Sequence, residues 1–180
     1  PIPTLEDLKN PLDEVIEPRA TQEEMTNFIE TELTESLKGL PTRTTQFGRF
    51  DKGLAYTILM KYYMHEKNWA KAEECGRELL KAEYGYGLMD RYADIFTLEN
   101  EGNKEIIFAC TEERGTNLQL WHDHALPGNY PTKNASIQKW DGYKVPWPFY
   151  RTFEEGDDRL SVLVGEYVGT DGVLFNEESD

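Results

Sequence analysis

A chain of 180 residues has the length of one domain and is long enough to bury a core. Its formal net charge of −15 predicts repulsion from phosphate backbones and anionic lipid headgroups, which argues against binding to nucleic acids or to a membrane surface. Its four Trp and ten Tyr argue against disorder, because disordered chains contain few aromatic residues.

The sequence has no apolar run of the length that spans a membrane. It begins without an initiator Met and without the basic and apolar regions of a signal peptide, so we expect a processed or truncated chain. Its cysteines, Cys75 and Cys110, are too few for a disulfide framework or a zinc site. We expect both to be buried free thiols; a single disulfide between them is the alternative.

The first predicted helix begins after Thr21. Thr21 and Glu24 fit the capping box, in which the Thr hydroxyl accepts from the third backbone amide and the Glu carboxylate accepts from the capping residue. Pro41 lies just beyond the expected end. Apolar residues follow the cap at helical spacing: Met25, Phe28, Ile29, Leu33, Leu37 and Leu40.

A helical hairpin is predicted next. The second helix begins near Asp51, and a polar turn at residues 65–68 separates it from a third helix capped by Asn68. Such a short turn implies an antiparallel pair that resembles one tetratricopeptide unit, which needs neighbours to bury its apolar face. The third helix is expected to bury the following residues, with Trp69 purely structural: Trp69, Ala72, Gly76, Leu79 and Leu80.

Regular patterns become scarce after residue 84. A short helix is predicted around Tyr92 and Phe96, followed by a short buried strand or extended run at 106–110. Residues 111–151 show little periodicity and frequent Pro and Gly. We therefore predict a mainly α fold in a single domain or fragment, 1–180. In this prediction, residues 18–96 form tetratricopeptide-like helical hairpins of the α-α superhelix type. Residues 97–180 form a long irregular, loop-rich part.

Five motifs occur in order from about residue 18 to 160. They are Pro18-Arg19-Ala20-Thr21 followed by Glu24 and the Phe28-Ile29 to Leu33 helix, Gly48-Arg49-Phe50-Asp51-Lys52-Gly53, Asn68-Trp69-Ala70-Lys71-Ala72, Tyr92-Ala93-Asp94-Ile95-Phe96 followed by Asn100 and Asn103-Lys104-Glu105-Ile106-Ile107-Phe108-Ala109, and Phe153-Glu154-Glu155-Gly156-Asp157-Asp158-Arg159. Together these motifs resemble segments of the SusD/RagB family. Asp158 stands where the family pattern has Pro. Trp147 stands where Thr is common, which indicates a distinctive local surface.

The resemblance implies a fold in which tetratricopeptide-like helices support an irregular ligand-binding layer. It implies non-catalytic binding of a glycan at the extracellular face of the bacterial outer membrane, with delivery to a TonB-dependent, SusC-like transporter. Family members are typically longer and carry a lipid anchor, so the resemblance also implies that this chain is an internal fragment of a lipid-anchored parent or an unusually short relative. We expect no cofactor.

Aromatic residues of the irregular segment are the predicted glycan-binding residues. Flat rings can cover the apolar face of a sugar, and amides or carboxylates can bind its hydroxyls. At each position, packing of the ring onto the helices is the alternative. The predicted ligand-binding residues are Trp121, Tyr130, Trp140, Tyr143, Trp147 and Tyr150, and the polar partners nearby in sequence are Asn117, Gln119, Asn129, Asn134 and Gln138.

Metal binding and catalysis are not predicted. His122-Asp123-His124 lacks further ligands in sequence and is interpreted as a polar turn. The acidic run 154–158 is interpreted as a helix terminus with an ion pair to Arg159, not as a calcium site. The sequence has no nucleophile motif or glycine-rich phosphate loop. The alternatives to glycan binding are a tetratricopeptide-like protein-interaction scaffold without sugar affinity and a hydrolase.

Overall fold

The computed structural model describes residues 9, 18–112, 121–133 and 137–179, and for Trp121 and His122 it describes the backbone alone. The described chain is mainly helical, as predicted. It forms two compact units. Unit 1 contains the described residues up to Gly87 together with Ile106–Ala109, and unit 2 contains Leu88–Glu105 and the described residues from Cys110 onward.

Unit 1 is built on the helices that the sequence predicts. Each of the three long helices begins at the expected cap: Thr21 with Glu24 forms the complete capping box, and the side chains of Asp51 and Asn68 accept from backbone amides three residues on. The helices are α1 (Gln22–Gly39), α2 (Lys52–His65), α3 (Trp69–Leu79) and a short 3₁₀ helix (Ala82–Tyr84).

The core of unit 1 lies between α2 and α3, and α1 packs against it. Leu59 and Tyr63 from α2 meet Ala72 and Cys75 from α3, with the partly buried Leu33 and Leu37 of α1 against the same cluster. Polar contacts also join α1 to the hairpin. Tyr62 donates its hydroxyl hydrogen to Thr26 Oγ1 at 2.7 Å, and Lys71 forms an ion pair with Glu30 at 2.9 Å.

The two cysteines differ in environment. Both are free. Cys75 is buried as predicted, and burial raises the pKa of its thiol. The prediction of burial is wrong for Cys110, which is exposed because it follows the end of the half-buried run Ile106–Ala109. No strand forms at 106–110, although Phe108 packs its ring 5.6 Å from that of Phe50.

The prediction that α3 buries Trp69 and Leu80 is wrong. Trp69 is 62% exposed and Leu80 is 81% exposed. The buried face of α3 is centred on Ala72, Cys75 and Leu79. At 3.6 residues per turn, Trp69 and Leu80 lie about a quarter turn away from the centre of that face. The helical spacing of apolar residues thus predicted a buried face on α3 that is wider than the face the structure buries.

Gly53 in the first turn of α2 is required for packing. A Cβ at this position would overlap the hydroxyl of Tyr86 and lie 2.9 Å from its Cζ. The ring of Tyr86 is held by stacking on Tyr84 and by the guanidinium of Arg43, 4.9 Å from its centroid. The ring therefore has little freedom to move aside.

We expect Gly53→Ala to lower the free energy of unfolding by about 1–3 kcal/mol, as overpacking does. Urea unfolding followed by circular dichroism measures this change. Gly39→Ala in α1 is the matched control, since a Cβ there meets nothing within 4 Å. Adding Tyr86→Phe to Gly53→Ala should recover part of the loss. Equal stability of the Gly53 and Gly39 variants would contradict the assigned packing.

Unit 2 consists of short elements joined by irregular segments. The elements are 3₁₀ helices at Tyr92–Phe96, Leu98–Asn100 and Asp158–Val162, helices α4 (Trp121–Ala125) and α5 (Trp147–Tyr150), and an antiparallel pair of strands, β1 (Tyr167–Val168) and β2 (Leu174–Phe175), with Tyr167 opposite Phe175. Among the helices of the described residues, none has both the length and the apolar character needed to cross a membrane.

Hydrogen bonds from side chains stabilise these irregular segments. Asp158 accepts from the backbone amide of Tyr92 at 2.6 Å, which joins two of the 3₁₀ helices. The predicted ion pair to Arg159 is confirmed and comes from Asp157, with Nε and Oδ1 2.9 Å apart. Hydrogen bonds from the Arg159 side chain lower the pKa of the Asp157 carboxyl to about 2. Two residues of the acidic run, Asp157 and Asp158, thus form hydrogen bonds that hold segments of unit 2.

Candidate functional site

The one-turn helix α5 places two predicted binding residues on the same side. Pro146 precedes the helix and Pro148 occupies its first turn, where proline is favourable because its missing amide hydrogen has no helical partner. Residues three apart in a helix are neighbours on its surface. The rings of Trp147 and Tyr150 therefore meet edge to face, with centroids 5.4 Å apart.

Trp147 and Tyr150 line an open cavity in unit 2. The cavity has a volume of about 690 Å³ and also includes Arg151, the residue that follows α5. Binding sites for small molecules commonly have volumes of several hundred Å³ and combine aromatic walls with a few polar groups. The cavity lies within this size range and combines two aromatic rings with polar groups.

The polar wall of the cavity comes from residues on either side of the strand pair. Glu166 precedes β1, and Asn176, Glu177 and Glu178 follow β2. Carboxylates accept hydrogen bonds, and the Asn176 amide can both donate and accept. Because strands β1 and β2 pair in antiparallel register, residues separated by about ten positions in sequence reach the same side of the cavity.

Gly165 permits the close approach of Tyr150 to this wall. A Cβ at Gly165 would lie 2.6 Å from the Tyr150 hydroxyl and 2.9 Å from Cζ, closer than two such atoms can approach. Arg151 forms an ion pair with Glu177 across the same cavity. The position of α5 against the segments that flank the strand pair thus depends on the absence of a side chain at Gly165 and on the ion pair between Arg151 and Glu177.

Tyr130 belongs to a second aromatic group, next to the strand pair. Its ring lies 5.0 Å from that of Tyr167, which stacks on Phe175 at 5.3 Å with the ring planes 10° apart. The Tyr167 hydroxyl donates to Asn129 Oδ1 at 2.9 Å. Tyr130 is half-buried. These contacts give Tyr130 and Asn129 a structural role in holding the strand pair.

Trp140 and Tyr143 form a third group around His124. The imidazole lies 4.7 Å from the Trp140 ring and 5.5 Å from the Tyr143 ring. The backbone amide of Tyr143 donates to the His124 carbonyl at 2.9 Å, which fixes the loop on α4. Both rings remain about half exposed, at 45% and 54%. Gln138 accepts from the Trp140 indole at 3.0 Å.

Some predicted residues lie outside the described structure. The backbone of Trp121 begins α4, but its side chain is outside the described residues, as are Asn117, Gln119 and Asn134. Among the residues that the structure describes, no group of three or more His, Cys, Asp or Glu is placed to hold a metal ion. Of the predicted aromatic residues whose side chains the structure describes, Trp147 and Tyr150 line the cavity.

The residues of the polar wall were not among the predicted binding residues. Asp171-Gly172 between two short apolar runs is a strong hairpin signal, and Gly172 has the positive φ of 79° that such a turn requires. That signal predicts the pairing of β1 with β2 and would have brought Glu166 near Asn176. The residues that line the cavity on this side are therefore partly readable from sequence.

The described structure defines a mainly helical protein with an open cavity in unit 2 that is lined by aromatic and polar side chains. Comparison with known proteins adds no assignment: no family model, no curated protein and no solved structure matches the chain.

Proposed function

We propose that this protein is a SusD/RagB-like, non-catalytic glycan-binding protein whose binding site is the cavity between α5 and the segments that flank the strand pair. In this proposal unit 1 is a tetratricopeptide-like support. The protein acts at the extracellular face of the bacterial outer membrane, and it presents a glycan to a TonB-dependent, SusC-like transporter. The observation that carries the proposal is the pairing of Trp147 and Tyr150 in the wall of a cavity of about 690 Å³.

The chemistry of the cavity suits a sugar better than an apolar ligand. Aromatic rings provide a large contact area with few rotatable bonds, and a sugar ring presents C–H groups to such a surface. Glu166 and Asn176 line the opposite wall with groups that accept hydrogen bonds, as sugar hydroxyls require. An apolar ligand would displace water from the Glu166 carboxylate and offer it no hydrogen bond in return.

Retention in native gels that contain soluble polysaccharides tests the proposal. We expect the protein to be retarded by at least one neutral polysaccharide, and we expect Trp147→Ala to weaken that binding by about 2 kcal/mol, or roughly 30-fold in Kd, as loss of a central aromatic contact does. Isothermal titration with an oligosaccharide of the retained polymer gives the Kd. The protein should not hydrolyse the polysaccharide to smaller sugars, because the proposed function is non-catalytic.

Trp140→Ala is the matched control for Trp147→Ala. Trp140 is also a partly exposed tryptophan of unit 2, but it packs on His124 and is not part of the cavity wall. A loss of binding in the Trp140 variant alone would move the site to the group around His124. Equal retention of the wild type and both variants would contradict any role of these rings. Far-ultraviolet circular dichroism checks that both variants remain folded.

The second candidate function is a protein-interaction scaffold without sugar affinity. It is favoured by the large apolar side chains that unit 1 exposes, among them Met64, Trp69 and Leu80. The same gel experiment separates the two functions. A scaffold would show no retention by any polysaccharide, and Trp147→Ala would have no effect on its binding to a protein partner.

A further inference from the structure

The charge of the cavity selects among saccharides: we infer that the cavity accepts neutral saccharides and rejects those that carry carboxylate or sulfate groups. The inference rests on the proposed function, because it concerns the ligand class of the same cavity. It depends on the signs and pairing of the charged side chains in the cavity wall.

The cavity wall has an excess of negative charge. Among the described residues that line it, Arg151 carries the one positive charge. Its guanidinium is paired with Glu177, so the two charges largely cancel. Glu166 and Glu178 line the same cavity and are exposed to solvent. A ligand therefore meets a cavity whose net charge is negative and whose cation is already engaged.

These carboxylates distinguish a hydroxyl from an acidic group. A sugar hydroxyl can donate a hydrogen bond to Glu166 or Glu178, whereas a carboxylate or sulfate has no hydrogen to donate. Two like charges about 4 Å away weaken binding by roughly tenfold or more at low salt, and the effect decreases as ionic strength rises. The net charge of −15 on the whole chain acts in the same direction.

Arg151 does not offer an anion site that would offset this repulsion. Its guanidinium already shares its single positive charge with Glu177, so a ligand carboxylate beside it would meet a charge that is largely offset. The same ligand group would also face the carboxylates of Glu166 and Glu178. We therefore expect the repulsion to exceed the attraction by Arg151.

The inference is tested with matched neutral and charged polysaccharides. The full chain is run in native gels at low ionic strength with amylopectin, dextran, mannan and mixed-linkage β-glucan, each beside its carboxymethylated form. We expect each neutral polymer that retards the protein to bind at least about tenfold more tightly than its carboxymethylated form. The difference should decrease when sodium chloride is added.

Two double variants separate the charge of the cavity from that of the whole chain. Glu166→Gln with Glu178→Gln should reduce the ratio of neutral to charged binding severalfold. Glu99→Gln with Glu101→Gln changes the net charge equally at exposed positions of unit 2 outside the cavity wall, and it should leave the ratio unchanged.

The outcomes distinguish the inference from the proposed function. Equal binding of both forms, or binding of the carboxymethylated forms alone, overturns the inference and leaves glycan binding standing. An unchanged ratio in the Glu166 and Glu178 variant, or an equal fall of the ratio in the Glu99 and Glu101 variant, also overturns it. If none of the polymers in either form binds, the proposed function itself fails and the inference fails with it.

Discussion

Replacing Leu59 with Ala is expected to lower the free energy of unfolding by about 2–5 kcal/mol, because the change removes buried methyl groups and leaves a cavity that the helices cannot fill. Leu59 is 3% exposed and lies in the cluster that joins α2 to α3. This loss is a large part of the stability of a typical domain, which is about 5–15 kcal/mol. The measurement is the midpoint of urea unfolding, followed by far-ultraviolet circular dichroism.

Ile58→Ala is the matched control for Leu59→Ala. Ile58 is the neighbouring residue in α2 and is 42% exposed, so its truncation should cost less than about 1 kcal/mol. Similar losses in the two variants would contradict the face of α2 that the structure buries. Because the chain has two compact units, the slope of the transition should also be compared between variants, since a change in slope would report separate unfolding of the units.

Replacing Gly165 with Ala is expected to weaken glycan binding about tenfold without removing any group that contacts the ligand. The added Cβ would lie 2.6 Å from the Tyr150 hydroxyl, so the Tyr150 ring must move away from its place in the cavity wall. Overpacking of this kind also costs about 1–3 kcal/mol of stability. Titration with the oligosaccharide identified in the gel experiment measures the affinity, and urea unfolding measures the stability.

Gly128→Ala is the matched control in the same unit, since a Cβ there meets nothing within 4 Å. We expect it to leave both affinity and stability close to those of the wild type. Adding Tyr150→Phe to Gly165→Ala removes the nearest clashing atom and should recover part of the lost stability, as a double-mutant cycle would show. The assigned contact between Gly165 and Tyr150 is wrong if the two single variants are not coupled.

The helices of unit 1 could be predicted from sequence because local signals determine where they begin. Thr21, Asp51 and Asn68 accept from backbone amides of the first turn, and that chemistry is visible in a few consecutive residues. The width of the buried face was not predictable in the same way. Trp69 and Leu80 are apolar and helically spaced, but the position of α2 decides which side of α3 is buried.

The candidate site shows the same division between local and long-range information. The sequence identified the aromatic segment but predicted no helix at 147–150. The spacing of three brings Trp147 and Tyr150 together because α5 forms there. The sequence did not separate these two rings from Trp140, Tyr143 and Tyr130. Those rings lie in the same irregular segment, but their contacts with His124 and Tyr167 depend on the tertiary structure.

By itself the sequence determined the mainly helical class, the caps of α1, α2 and α3, and the aromatic composition of the irregular segment, since these follow from neighbouring residues and their hydrogen-bonding groups. The tertiary structure alone decided which rings line a cavity and which charges face it. Glu166 and Glu178 reach the side of Trp147 because β1 pairs with β2, and Tyr150 fits because Gly165 has no side chain. Such proximity between distant residues depends on packing, which local sequence patterns do not encode.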